Sequence, residues 1–176
     1  MAESPGSPEF PGPPEPGSPV DPADLVITRI CRPDHDLLVT LEAYDFEAFG
    51  LTGLRTYDLA VVAQAGAVYL AYLYDEIAGS CQLLRMFDEP GFFYVVGFYV
   101  RPRWQSRQVG RAFLQAVARE LQEKGGEGMV LTVASENTVA LSLYRSIGFI
   151  NETFVHNFYG EGEDRHILRW CFPRVE

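Results

Sequence analysis

Apolar residues recur along the chain with two periods, and the periods alternate. Residues 25–30 show the alternation of a half-buried strand, and residues 34–49 then place Leu37, Leu38, Leu41, Tyr44 and Ala48 at helical spacing. Residues 57–64 fit a short second helix. Two apolar strands over 67–74 and 79–87 flank Asp75-Glu76, a hairpin signal. The bulky run 91–100 predicts a buried strand. After a basic stretch, residues 109–121 predict a helix with Val109, Phe113, Ala116, Val117 and Leu121 on one face, ended by Gly125-Gly126. A strand over 129–134 follows, then a helix over 138–147 that turns Ala140, Leu143, Tyr144 and Ile147 to one side and stops at Gly148. Residues 149–159 and 166–172 predict a closing hairpin around the loop 160–164. The order β-α-α-β-β-β-α-β-α-β-β predicts a mixed α/β domain of about seven strands and four helices.

Composition sets the first 24 residues apart. They hold eight of the 12 prolines and five acidic residues, with no Lys or Arg. Such a segment buries too little apolar surface to offset chain entropy, so a disordered or polyproline II tail is expected over 1–24 and a single domain over 25–176. The net charge is -10, and the tail accounts for five of those negative charges. This acidic balance argues against nucleic acid as the main partner. No apolar run reaches the ~18–20 residues that a membrane span requires, and no secretory signal is visible. Cys31, Cys81 and Cys171 lie far apart with no metal-ligand spacing. Three buried thiols, a cytoplasmic setting, no membrane partner and no metal are the expectation.

The candidate chemistry centres on the join between strand 91–100 and helix 109–121. A helix N-terminus offers unpaired N–H groups and the positive end of the helix dipole, which together bind phosphate. Arg101, Arg103, Arg107 and Arg111 place four cations within eleven residues of an otherwise acidic chain, so a pyrophosphate is the natural ligand. Gly97 interrupts the preceding strand, as it would at a bulge that frees backbone groups for an extended ligand. Asn137 and Tyr144 are seven residues apart on one helix, two turns, so both can face one cleft. Taken singly, Asn137 is an ordinary N-cap and Tyr144 a core tyrosine.

Two motifs join these features. Val100-x-Pro102-x-Trp104-Gln105-x-x-Gln108-x-Gly110 and Asn137-x-x-Ala140-x-x-Leu143-Tyr144-x-x-x-Gly148-Phe149 resemble those of the GNAT (GCN5-related N-acetyltransferase) superfamily. The resemblance spans about residues 25–172 and is strongest over 98–149. A short ending, Asn157-Phe158-Tyr159 with Gly162-Glu163-Asp164, is similar to that of the ribosomal-protein alanine acetyltransferase (RimI-like) branch. The resemblance implies a GNAT fold with a central sheet splayed near Val100, and acetyl-CoA as cosubstrate. Phe98, Tyr99 and Val100 would hold the acetyl-pantetheine arm through main-chain groups. Ser106, Arg107, Gln108, Val109, Gly110 and Arg111 would hold the pyrophosphate and Asn137 the pantetheine, with Gln105 among the cofactor-binding residues. Tyr144 would protonate the departing thiolate, with an ordinary phenol pKa of ~10.

Two departures from the family pattern stand out. Gln108 replaces its first glycine, and Thr132 replaces the Glu of the RimI-like branch, leaving the general base open among Glu136, His156, Asp45 and Glu47. Each of those four, taken alone, reads as a solvated surface charge. The acceptor implied is a primary amine attacking directly, since no cysteine sits in a nucleophile motif. A protein N-terminus or lysine is favoured by the RimI-like ending. A small cationic amine (polyamine or aminoglycoside) would suit Asp45, Glu47, Glu161, Glu163 and Asp164. A non-catalytic acyl-CoA-binding module is the alternative, and both a monomer and a homodimer stay open.

Overall fold

A computed structural model describes residues 21–105 and 108–173. The expected tail lies outside the described residues up to residue 20, as do Ser106 and Arg107. Seven strands and four α-helices follow in the predicted order: β1 Val26–Ile30, α1 His35–Phe49, α2 Thr56–Ala65, β2 Ala67–Leu73, β3 Glu76–Arg85, β4 Phe92–Val100, α3 Val109–Glu123, β5 Gly128–Val133, α4 Thr138–Ile147, β6 Ile150–Val155 and β7 Arg165–Cys171. They form one sheet in the order β1-β2-β3-β4-β5-β7-β6. Only β4 and β5 run parallel, and α3 makes the crossover that such a pair needs.

Strand alternation divides the core between two faces. Ala67, Tyr69 and Ala71 of β2 turn toward α3 and α4, where Phe113, Leu114, Val117, Leu121, Leu141 and Tyr144 pack. Val68 and Leu70 turn the other way, against Leu41 of α1 and Leu59, Val62 and Ala63 of α2. A smaller cluster of Leu73, Ala78, Trp104 and Val109 closes the β2–β3 end.

The hairpin turn falls one residue earlier than the acidic pair predicted. Tyr74 and Asp75 both have positive φ, 49° and 65°, as a two-residue turn between twisted strands requires. Tyr74 accepts this backbone because its ring stacks on Trp104 and its hydroxyl donates to Asp24 at 3.1 Å. As a result, β3 begins at Glu76 rather than residue 79. The last hairpin also differs: β6 ends at Val155, and the loop over 156–164 is knit by Asp164, which accepts from the Asn157 N–H and meets His156. Of the three thiols expected in the core, only Cys81 is buried; Cys31, just past β1, and Cys171, at the end of β7, are exposed. The aromatic strand residues divide: Tyr69 and Phe93 are buried, while Tyr72, Tyr74, Phe92 and Tyr94 are half-buried. Among the described residues no helix is long and apolar enough to cross a membrane.

Phe113 joins the layers, fully buried against the sheet with its ring 5.5 Å from that of Phe98. Phe113→Ala is expected to cost about 3–5 kcal/mol through lost burial and the cavity left behind. Urea denaturation of the purified variant measures it, and a loss under about 1 kcal/mol would mean the helix does not anchor the sheet here.

Candidate functional site

The sheet splits at its centre. β4 pairs with β5 only over Phe92–Tyr94, opposite Gly128–Val130. Beyond that point β4 stays with β3, β5 stays with β7, and the strands diverge. A bulge helps to set the split. Gln82 pairs with Gly97 and Leu83 with Val95, so Val96 is the extra residue. It also switches phase: Phe93 and Val95 face α3 before the bulge, and Phe98 does so after it, leaving Gly97 and Tyr99 on the α1 face. A Cβ at Gly97 would stand 2.5 Å from the amide oxygen of Gln82, so a larger residue there would push that side chain aside. The interruption read from sequence is thus a real bulge, and the β4 edge past Tyr94 has no strand partner.

A cavity of about 700 Å³ fills the opening. Phe98, Tyr99, Val100, Gln105, Gln108, Gly110, Arg111, Asn137 and Tyr144 all line it, so every described residue proposed from the two motifs reaches this space except Val109, which is buried in the small core cluster. Ser106 and Arg107 lie outside the described residues.

The N-terminus of α3 opens onto the cavity. Gln108 is its N-cap residue, with φ 60° and ψ 3°, and its own side chain does not cap the helix. A left-handed residue leading into a helix turns successive N–H groups toward one point, which makes an anion-binding concavity. This is the conformation that a glycine adopts freely, so Gln108 sits at the position where the motif has glycine and carries the strain of a Cβ. Gly110 comes close to its neighbours: a Cβ there would lie 3.2 Å from Leu143 and 3.5 Å from Val100. The Gln105 side chain donates to the Val100 carbonyl at 2.8 Å and so braces the loop.

Asn137 plays the ordinary part and faces the cavity as well. Its Oδ1 accepts from the Ala140 N–H at 3.1 Å, capping α4. Two turns on, Tyr144 is buried among Phe98, Phe149 and the core while lining the cavity. Burial pushes its phenol above the ordinary value, with a smaller contribution from Cys81. The hydroxyl therefore stays protonated throughout the neutral range.

The opposite wall comes from α1: Tyr44, Glu47, Ala48 and Phe49. Behind it lies a feature that differs from the sequence reading. Asp45 is wholly buried rather than a solvated charge. Its position explains why: Leu38, Leu41 and Asp45 stand three and four residues apart, on the stripe that α1 turns to the sheet. Asp45 accepts from the Gln82 amide at 3.1 Å and from the Leu54 N–H at 3.4 Å. Gln82 also donates to Ser80 at 2.9 Å, and both are buried. Ser80 and Gln82 alternate along an otherwise apolar strand, and that was the available sequence signal. Burial raises the Asp45 carboxyl to about 7, against the lowering effect of the Leu54, Gln82 and Tyr99 contacts.

Thr132 belongs to a second polar group on the same face. Its hydroxyl, that of Tyr94 and that of Tyr159 form a triangle with sides of 3.0, 3.1 and 3.2 Å. Burial pushes Tyr94 up to about 12. Sequence reading did not join Tyr94 and Tyr159 to Thr132, since no spacing links residues this far apart. The other charges expected near the site lie elsewhere or are engaged. Glu136 and His156 are exposed and do not line the cavity. Glu163 pairs with Arg165, and Asp164 serves its own loop.

Residues 34–149 match the Acetyltransferase (GNAT) family, and the chain belongs to that family. It is 33% identical over 78 residues to the [ribosomal protein bS18]-alanine N-acetyltransferase of Escherichia coli, covering 44% of this chain and 51% of that protein. The chain thus spans about half the length of the curated relatives it matches first. An uncharacterised Mycobacterium leprae protein is 28% identical over 152 residues, 85% of this chain and 41% of its own length. Among solved structures, the Escherichia coli ribosomal-protein-S18-alanine N-acetyltransferase superposes with TM-score 0.69 at 20% identity, covering 86% of this chain and 96% of that one. Arabidopsis thaliana NAA60 in complex with acetyl-CoA gives 0.69 at 17%, covering 84% and 99%. The expected splayed fold is confirmed.

Two outcomes follow. Gln108→Gly should relieve strain on the order of 1 kcal/mol at the α3 N-terminus, offset in part by glycine's greater freedom when unfolded. A raised melting temperature measures it, and a drop of several degrees would show that the Gln108 side chain supports the loop. For Asp45, the raised carboxyl has a definite sign. Between the ordinary carboxyl range and about 7 the folded state holds a proton that the unfolded state has lost, so stability falls as pH rises and levels off above that value. Asp45→Asn should remove this slope. Urea denaturation at about pH 5 and pH 8 checks it, and parallel pH profiles for the two proteins would contradict it.

Proposed function

We propose that the protein transfers the acetyl group of acetyl-CoA to a primary amine, with the amine attacking directly. The observation that carries this is the single cavity in which the β4 edge beyond Tyr94, the α3 N-terminus and the Tyr144 ring meet. The residues fit the cosubstrate. The Gln108–Arg111 turn would take the pyrophosphate, with Arg111 adding charge. Backbone groups of Phe98, Tyr99 and Val100 would take the pantetheine as an added strand and polarise the thioester carbonyl. Asn137 would hold the arm from the α4 side. Acetyl-CoA supplies an activated acyl group. As the C–N bond forms and the C–S bond breaks, Tyr144 gives its proton to sulfur and regains one from the nitrogen, which sheds a proton as the amide forms. The apolar surroundings that raise this phenol also disfavour a bare thiolate, so the two stay matched.

The cavity also sorts the acceptors. Its charged lining is Glu47 against Arg101, Arg111 and Arg165. With Arg111 given to the pyrophosphate and Arg165 paired with Glu163, the wall keeps Glu47 and Arg101, one charge of each sign, which suits the single charge and extended backbone of a peptide N-terminus better than the several charges of a polyamine or an aminoglycoside. The names of the bS18-alanine N-acetyltransferase relatives support the same choice.

Tyr144→Phe should lower turnover at least about 100-fold while acetyl-CoA affinity changes less than about threefold. Release of free CoA thiol with peptides of free N-terminus, lysine peptides, spermine and an aminoglycoside measures it. Preference for spermine would contradict the acceptor reading, and undiminished turnover in the variant would remove Tyr144 as the acid.

A further inference from the structure

An amine entering the site as an ammonium must lose a proton, and the cavity wall shows no exposed base suited to take it. Thr132 offers only a hydroxyl, already within hydrogen-bonding distance of Tyr94 and Tyr159. His156 and Glu136 do not reach the cavity. Glu47 does, but its side chain is about half exposed and turned to Arg101, with the guanidinium Nε 3.8 Å away.

Behind the same wall, Tyr99 lines the cavity and is 5% exposed, and its buried hydroxyl meets the Asp45 carboxyl and Ser80. Tyr99 pairs with Ser80 and Gly97 with Gln82 across β3 and β4, so all four belong to one face of the sheet. Asp45 closes that group from α1, bonded to Gln82 and within electrostatic reach of Tyr99. A buried phenol whose ring lines the cavity and whose hydroxyl meets a buried carboxyl links the two. It is well placed to pass a proton.

We propose that Asp45, acting through the Tyr99 hydroxyl, takes up the proton that the acceptor amine loses. This inference rests on amine acetylation as proposed above. The ammonium hands a proton to the Tyr99 oxygen as Tyr99 hands its own to an Asp45 carboxylate oxygen. The amine leaves neutral, Tyr99 is unchanged, and Asp45 becomes a carboxylic acid that loses its proton to water before the next turnover. No phenolate forms, which matters because burial pushes the Tyr99 phenol far up. The carboxyl itself is tuned for the task, since burial brings it to about 7. The titratable and charged groups facing this pair are Tyr44 and Glu47 on α1 and Arg101 at the end of β4, with the Arg101 guanidinium 4.0 Å over the Tyr44 ring. Tyr99 would be the catalytic residue, and Asp45 works through it.

The test follows CoA release by the full chain, from about pH 5.5 to pH 9.5, with a peptide N-terminus and with a lysine peptide. The wild type should show a rising limb in kcat/KM centred near 7 that keeps its place when the ~8 amine of the first is exchanged for the ~10.4 amine of the second. Asp45→Asn should abolish that limb and lower turnover about 100-fold. Rotation of the Gln82 amide can accommodate the new Nδ2, because the Gln82 Oε1 has no partner of its own. Tyr99→Phe, which removes one oxygen and keeps the packing against Phe49, should do the same. Acetyl-CoA affinity by calorimetry should stay within about threefold in both variants. If Asp45→Asn does not fold, Tyr99→Phe decides alone. Wild-type limb and turnover in Tyr99→Phe would overturn this inference and leave the proposed acetylation standing. A wild type that acetylates none of these amines would overturn both.

Discussion

The parting of β4 from β5 after three paired residues is the constraint on which the rest of the molecule depends. A parallel pair at the centre of a sheet is ordinarily zipped along its length, because unpaired backbone groups are costly. Here each strand keeps its antiparallel partner on the outer side, β3 for β4 and β7 for β5, and the inner edges are released together. The bulge at Val96 reverses which residues face which layer, so the same strand can pack on α3 at both ends and still send Gly97 and Tyr99 to the α1 side. The opening holds because the cores flanking it are independent: α3 and α4 hold one face, α1 and α2 the other.

Site and fold are therefore one design. The α3 N-terminus points into the opening because α3 is the crossover between the two parting strands. Tyr144 and Asn137 reach it because α4 follows β5 directly. The α1 layer closes the far side and brings the only buried carboxylate among the described residues, Asp45, against the polar face of β3. Two walls of different character result. One carries the α3 N-terminus and apolar strand residues, the other hydroxyls, an amide and a carboxyl.

Much of this was legible in the chain. The order of elements followed from alternating periods, and α4 was bounded to the residue because Asn137 and Gly148 both have strong terminal preferences. The two motifs located the cavity-lining residues. Legibility failed where a distant contact overrides a local preference. Asp75-Glu76 looked like the turn, but Tyr74 took a left-handed backbone because Trp104, thirty residues on, stacks beneath it. The cysteines look like core residues by type, yet two fall at strand ends and are exposed. Asp45 was legible in principle, a charge on the apolar stripe of α1, but its solvation was judged from residue type and not from position. The Tyr94–Thr132–Tyr159 triangle has no local signature at all, because the splay and the final loop assemble it from three separate elements.

The central claim is that the opened sheet and the α3 N-terminus form an acetyl-CoA site despite a glutamine at a position suited to glycine. Calorimetric titration of the full chain with acetyl-CoA, beside Gly110→Glu, tests it most directly. A Cβ at residue 110 already presses on Leu143, and a carboxylate there would repel the pyrophosphate as well. The account predicts micromolar binding by the wild type, with the binding lost in a folded variant. No binding by the wild type, or equal binding by both, would contradict it.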